Sequence, residues 1–252
     1  MERIGIIGGS GLDDPNILTN PRNLEEETPY GRPSGLIRAG VIKGVEVALL
    51  GRHGREHTIP PSEVNYRANI DALKAAGCRA IVATTAVGSL REEIGRGDFV
   101  VPDQFIDFTR RRINTFHDRF EPGNPVHTPM AHPFDDGLRT ILIRTSESLE
   151  YAVHPSGTVI TIEGPRFSTR AESLMFRSWG ADVINMTIAT ECALANEANI
   201  RYAVIAMSTD YDCWKENEDP VSWEEILSVF QANAERVINL LVTAIPQIAR
   251  QL

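Results

Sequence analysis

Two carboxylates, Asp210 and Asp212, stand one residue apart just past an apolar, β-prone run that begins at Tyr202 and ends at Met207. Asn199 precedes the run and polar residues follow it, so it reads as a buried strand. In open α/β sheets, ligands bind in the crevice beyond the strand C-termini. Two acids placed there could hydrogen-bond a polar heterocycle, with Tyr211 or Trp214 supplying an apolar wall. A solvated, helix-capping turn would account for the same pair, so other stretches must decide.

The second candidate is cationic. Gly51-Arg52-His53-Gly54-Arg55-Glu56-His57 is a dense basic cluster in an otherwise acidic chain. The Arg52 fork suits a tetrahedral anion; a solvated loop is the competing reading. His53 and His57 have the i,i+4 spacing of a metal pair, but Gly54 disfavours a helix between them and no third ligand stands nearby, so no metal is expected. Two further strand ends carry small hydroxyl residues. Ile4 to Ile7 runs into Gly8-Gly9-Ser10-Gly11, and Arg79 to Thr84 runs into Thr84-Thr85-Ala86-Val87-Gly88-Ser89. The first lacks a dinucleotide fingerprint, because Asp14 fills the third glycine slot, and no Gly-Lys-Ser/Thr follows. Such turns can aim backbone N–H groups at an anion. Together with the Arg-His loop they suggest a phosphate cradle.

The rest of the chain must position these groups. Its 252 residues, 42% hydrophobic and 23% charged, suffice for a sizeable soluble core. A net charge of −9 argues against a nucleic-acid backbone or an anionic membrane as the main partner. Cys78, Cys192 and Cys213 are widely spaced, without a CxxC pair, which fits a reducing cytoplasm better than a disulfide framework. Met1-Glu2-Arg3-Ile4-Gly5 lacks a signal-peptide shape, and no apolar run is long enough for a bilayer.

Residues 13–34 read as surface loop, and 35–50 as a hairpin turning at Lys43-Gly44. A helix is expected from Ser62 as N-cap to Gly77, a strand over 98–105, and irregular chain over 107–134 with Arg110-Arg111-Arg112 solvated. Then come a helix over 137–149, a strand over 157–162, and a helix opened by the Thr169/Glu172 capping box. A short strand over 182–186, a short helix over 191–199 and a long last helix capped at Ser222 complete the pattern. That helix carries Ile226, Leu227, Phe230, Val237, Leu240 and Leu241 on one stripe. Mixed strand and helix signals throughout, with no linker or repeat, predict one α/β domain spanning residues 1–252.

Several of these stretches, in order, resemble the trimeric purine nucleoside phosphorylase family. They are Ile6 to Leu12, Arg52-His53-Gly54-Arg55, Thr84 to Glu93, Ile162 to Glu172, Asn185-Met186-Thr187 and Thr209-Asp210-Tyr211-Asp212. The resemblance implies a central mixed, twisted β-sheet flanked by helices, and a homotrimer or hexamer. It also implies phosphorolysis of a nucleoside with inorganic phosphate as co-substrate and no cofactor. On the matching positions, Ser10, Arg52, His53, Thr85, Ala86 and Thr187 would hold phosphate. Met186 would contact the ribose and Phe167 the base, with Glu191 counted among the nucleoside-binding residues. Asp210 and Asp212 would take purine N7 and the 6-amino group, as in the aminopurine-preferring members; relatives acting on inosine and guanosine carry Asn at 210. Trp223, Ile226 and Leu227, with His127 reaching across a subunit contact, match the apolar pocket of the methylthio-preferring branch. The implied reaction is therefore 5′-methylthioadenosine plus phosphate giving adenine and 5-methylthioribose 1-phosphate. Methylthioinosine, inosine or guanosine as substrate, or a silent nucleoside-binding protein, are the alternatives. Two departures stand out: Trp223 is bulkier than the family's small aliphatic, and Ile188-Ala189-Thr190 replaces a run that usually reads Val-Pro before Glu191.

Overall fold

A twelve-residue strand, β5 (Cys78–Ser89), is the spine of the molecule, buried along almost its whole length. A computed structural model describes residues 2–9, 17–216 and 222–252 of the chain. One edge of β5 is occupied by β11 (Arg201–Asp210), parallel to it from Ala80 to Gly88. Its other pairings are with β1 (Arg3–Gly8), parallel, and at its far end with β10 (Val183–Asn185), antiparallel. From β1 the sheet continues through β4 (Val45–Gly51), β3 (Ile37–Ile42) and β2 (Thr19–Leu24). From β10 it continues through β9 (Thr158–Ile162) to β7 (Gln104–Phe108), and from β11 through β6 (Phe99–Val100) to β8 (Val153–His154).

The sheet is mixed, as expected, and five α-helices among the described residues cover it. They are α1 (Tyr66–Ala75), α2 (Asp136–Ser148), α3 (Arg170–Ser178), α4 (Ile188–Glu197) and α5 (Trp223–Ala249). One apolar cluster joins α1 and α4 to the sheet, a second joins α2 and α5, and a third packs around Phe176 of α3. The α5 stripe supplies Phe230, Val237, Leu240 and Leu241 to the second cluster. No helix among the described residues is long and apolar enough to cross a membrane.

Several expectations need correction. The stretch over 13–34 contains β2, an exposed strand antiparallel to β3. The β3–β4 hairpin does turn at Lys43-Gly44, both with positive φ. Ser62 caps nothing: Pro61–Glu63 forms a single 3₁₀ turn, and α1 begins after Asn65, whose side chain accepts from the Ala68 N–H at 3.2 Å. The β5 strand does not stop at Thr84 but runs on to Ser89, because β10 and β11 supply its far end with partners. Pro102 has no N–H to donate, and the strand expected over 98–105 is split into β6 and β7 around it. Arg112 is not solvated; its side chain is 2% exposed and pairs with Glu163 at 2.8 Å.

Candidate active site

The cavity opens where β5, β10 and β11 end, and holds about 430 Å³. Five chain segments meet in it: the loop after β4, the second half of β5, the loop after β9, the β10–α4 junction and the end of β11, with α5 closing one side. Of the residues proposed from sequence, Arg52, His53, Thr85, Ala86, Phe167, Met186, Thr187, Asp210, Asp212, Trp223 and Ile226 all line it. Ser10 lies outside the described residues.

At one pole, Arg52 follows β4 directly and is 1% exposed. Its Nε and Nη2 both donate to Glu191, the latter at 3.0 Å, and Nη1 donates to the Thr84 carbonyl at 3.0 Å. Burial alone would lower the Arg52 pKa; the adjoining Glu191 carboxylate overrides it, so the cation is held more firmly than in water. Gly9 permits this packing, since a Cβ there would sit 2.7 Å from Arg52 Nη1 and 2.6 Å from the Thr84 carbonyl oxygen.

His53 is pushed down to about 3, first by burial and then by the Arg52 charge and His57. The ring is therefore neutral. Its Nδ1 lies 2.9 Å from the Ile59 carbonyl, which can only accept, so that nitrogen carries the proton and Nε2 keeps its lone pair. His57 is stacked on His53 with centroids 4.2 Å apart and meets Trp223 at 4.9 Å. The i,i+4 histidines thus form an aromatic column, and the described residues contain no group of three or more His, Cys, Asp or Glu able to hold a metal.

The other pole is acidic. Between Ser208 and Asp210 the β11 register skips one residue, so that Ser208 pairs with Val87 and Asp210 with Gly88. This β-bulge turns Asp210 to the face opposite the one plain alternation would give it. Asp210 is 4% exposed. Its Oδ1 accepts from the Asp212 N–H and its Oδ2 from the Thr209 hydroxyl, both at 2.8 Å. Burial still raises its pKa to about 6. Asp212 has φ +48°, and its carboxyl is raised too, chiefly by burial; its Oδ2 has no hydrogen-bond partner among the described residues. Gly88 makes room, because a Cβ there would lie 2.9 Å from Asp210 Oδ1. Thr85 and Gly88, which mark the two poles on β5, are about 10 Å apart at a strand's rise.

Between the poles the walls are Met186, Ala86, Val87, Ile184 and Phe167, the last 36% exposed at the rim. The capping box of α3 fixes the Phe167 loop: Thr169 and Glu172 exchange bonds, and Glu172 also grips the Arg166 fork at 2.7 Å. Burial slightly favours the neutral acid, but the Arg166 and Thr169 bonds dominate and hold Glu172 down at about 2.

Five expected positions differ. Glu191 does not line the cavity; it is fully buried behind Arg52. Leu227 is half-buried one residue beyond the lining residue Ile226. His127 is exposed, edge-on to Phe120, and outside this chain's own cavity. The apolar wall does not come from Tyr211 or Trp214; Trp214 donates from Nε1 to the Ser89 carbonyl at 2.8 Å, beneath the Arg177 guanidinium. Sequence reasoning missed Asn185, Thr209, Ser168 and the Pro60-Pro61 wall, all of which line the cavity. The first three sit inside or beside motifs already singled out, so adjacency was the available signal.

The model of the phosphorylase superfamily matches residues 3–246. The S-methyl-5′-thioadenosine phosphorylase of Danio rerio is 54% identical over 251 residues, covering 98% of this chain and 89% of its own. That of Xenopus tropicalis is 55% identical over 250 residues, with the same coverage of both chains. Among solved structures, methylthioadenosine phosphorylase from Schistosoma mansoni in complex with adenine superposes with a TM-score of 0.92 at 42% identity, covering 99% of this chain and 93% of that one. A variant of the adenosine/methylthioadenosine phosphorylase of that organism, in complex with methylthioadenosine, gives 0.91 at 41% identity, covering 99% and 92%.

Proposed function

This chain belongs to the phosphorylase superfamily, and we propose on that premise that it cleaves 5′-methylthioadenosine with inorganic phosphate to adenine and 5-methylthioribose 1-phosphate. The observation that carries the reading is the pairing, in one cavity, of a buried guanidinium pole with a buried diacid pole. Phosphate bound at Arg52, His53, Thr85, Ala86 and Thr187, with Ser10 joining them, places an oxygen beneath the anomeric carbon. Positioning and electrostatics of this kind supply most of the barrier reduction as the glycosidic bond loosens toward an oxocarbenium-like state. A neutral His53 accepts a hydrogen bond at Nε2 from a phosphate P–O–H, which favours a phosphate that keeps a proton.

At the far end the departing purine accumulates negative charge. Asp210, protonated, donates to N7, and Asp212 accepts from the 6-amino group. The raised pKa of Asp210 supports this division of labour, since only a protonated carboxyl can donate. Met186 packs on the ribose and Phe167 on the base, while Trp223 and Ile226 face the methylthio group. Ile188, Ala189 and Thr190 are fully buried in the first turn of α4 and outside the lining, so their departure from the family pattern gives no support to an oxopurine preference.

The whole chain acts as one phosphorylase domain, needing no cofactor beyond the phosphate co-substrate. It works as a cytoplasmic homotrimer, with a hexamer the other arrangement to test, in purine and methionine salvage; the partner subunit's His127 would complete the 5′ pocket. The test is phosphate-dependent release of free base from methylthioadenosine, adenosine, methylthioinosine and inosine in parallel. Methylthioadenosine is expected to lead by a wide margin, and a lead for either oxopurine nucleoside would overturn the assignment of Asp210.

A further inference from the structure

A carboxylate beside an anion site is chemically odd, because it repels the ligand it adjoins. Glu191 is such a group: it is fully buried, and its carboxylate meets the same guanidinium that lines the cavity. Three facts resolve the oddity. Glu191 takes the Nε and Nη2 donors of Arg52 together, a two-point grip that fixes the plane of the guanidinium as well as its place. The Thr84 carbonyl takes a third donor from Nη1. The Tyr202 hydroxyl, also fully buried, donates to Glu191 Oε2 at 2.7 Å and holds the carboxylate from behind. An arginine has five N–H donors. Among the described residues three of them therefore have partners, and one on each terminal nitrogen remains for a ligand. Two such donors match two oxygens of a tetrahedral anion.

We infer that Glu191, backed by Tyr202, is a positioning residue that aims Arg52 at the phosphate co-substrate, and that it does not touch the nucleoside. This inference rests on the phosphorolysis proposed above. The carboxylate also comes from a suitable place. Glu191 lies in the first turn of α4, and its N–H donates to the carbonyl of Thr187, itself a cavity residue, at 3.3 Å. One helix start thus sets a hydroxyl against the ligand and a carboxylate behind the guanidinium. Displacing α4 would disturb both at once.

The experiment compares wild type, Glu191→Gln, Glu191→Asp and Tyr202→Phe. The readouts are kcat, the separate KM values for phosphate and for methylthioadenosine, calorimetric binding of inorganic phosphate, and the melting temperature. Glu191→Gln is expected to raise the phosphate KM about 10- to 100-fold with the nucleoside KM within about twofold, the split that loss of one ligand's positioning produces. Glu191→Asp keeps the charge but shortens the reach, and should recover part of that loss. Tyr202→Phe keeps both charges of the pair, so it decides the matter if Glu191→Gln does not fold; its phosphate KM should rise about threefold, in line with one lost hydrogen bond. An unchanged or lowered phosphate KM in the folded variants, with only the melting temperature reduced, would make Glu191 a purely structural counter-ion and overturn the inference. Base release that is independent of phosphate in wild type would instead sink the proposed function.

Discussion

At the Arg52 end of the cavity a buried cation meets a carboxylate, which a phenol holds in turn, and a carbonyl; at the other end the buried acid Asp210 meets a hydroxyl and the backbone N–H of a second buried acid, Asp212. The first arrangement neutralises its charge within the fold and leaves the guanidinium permanently ionised. The second has no cation among the described residues to oppose burial, so the acid holds its proton to a higher pH, about 6. On the function proposed above, the group that must always be charged has a counter-ion, and the one that must give up a proton has none among the described residues. The same low-dielectric surroundings thus end in a favoured charged form at one end and a favoured neutral form at the other, decided by which neighbours the strands bring up.

The contrast can be broken most severely at Arg52. Arg52→Met strands the Glu191 carboxylate in the interior, and should cost about 3–5 kcal/mol of stability, read by calorimetric melting. Phosphate-dependent turnover should fall about a thousandfold. The double variant Arg52→Met/Glu191→Met is expected to regain much of the stability and none of the turnover, which separates the two roles.

Asp210→Asn comes next, with kcat for methylthioadenosine falling about a hundredfold and the ratio of oxopurine to aminopurine turnover rising. In wild type, kcat/KM for the nucleoside should decline as pH rises through about 6, where Asp210 loses its proton, and the variant should lack that limb. The sign for stability is the same. Because the folded pKa lies above the ordinary value of 3.8, the stabilisation is complete below that value and disappears as pH rises through about 6. Denaturant titrations of wild type and variant across this window would detect it.

Gly88→Ala is a milder probe, since its methyl would meet Asp210 Oδ1 at 2.9 Å and tilt the carboxyl. We expect about a tenfold loss in kcat/KM, in keeping with small misplacements of catalytic groups, and an unchanged phosphate KM. The smallest effect should follow Trp223→Val. Methylthioadenosine turnover should stay within about threefold, while longer 5′-thioalkyl groups gain, as assayed across a series of substituents.

How much of this was legible in the sequence depended on whether a signal was local. The Thr169/Glu172 capping box, the Lys43-Gly44 turn and the α5 stripe are local patterns, and the fold contains each of them. The β5 strand was cut short because Thr84 to Ser89 looks like a turn on its own; its extension exists only because β10 and β11 pair with it. Arg112 looks like one of three solvated arginines in the sequence, and it is Glu163 and Tyr66, both far along the chain, that make it a buried one. The family resemblance alone counts Glu191 among the nucleoside-binding residues, and the structure sets it behind Arg52. No sequence pattern distinguishes a side chain that reaches into a cavity from one that reaches behind its wall.

The skipped residue in β11 has an evolutionary meaning. Because the aim of Asp210 depends on one surplus residue between Ser208 and Gly88's partner, it is encoded by chain length as well as by residue identity. Exchanging Asp for Asn at 210 would alter which purine is favoured and leave the geometry alone. Losing a single residue there would instead rotate the acidic end out of the cavity, and no later point substitution could turn it back. If Asp210 reads the base as proposed above, a substitution changes base preference within an intact frame, whereas an insertion or deletion at this one step of the strand removes the frame itself.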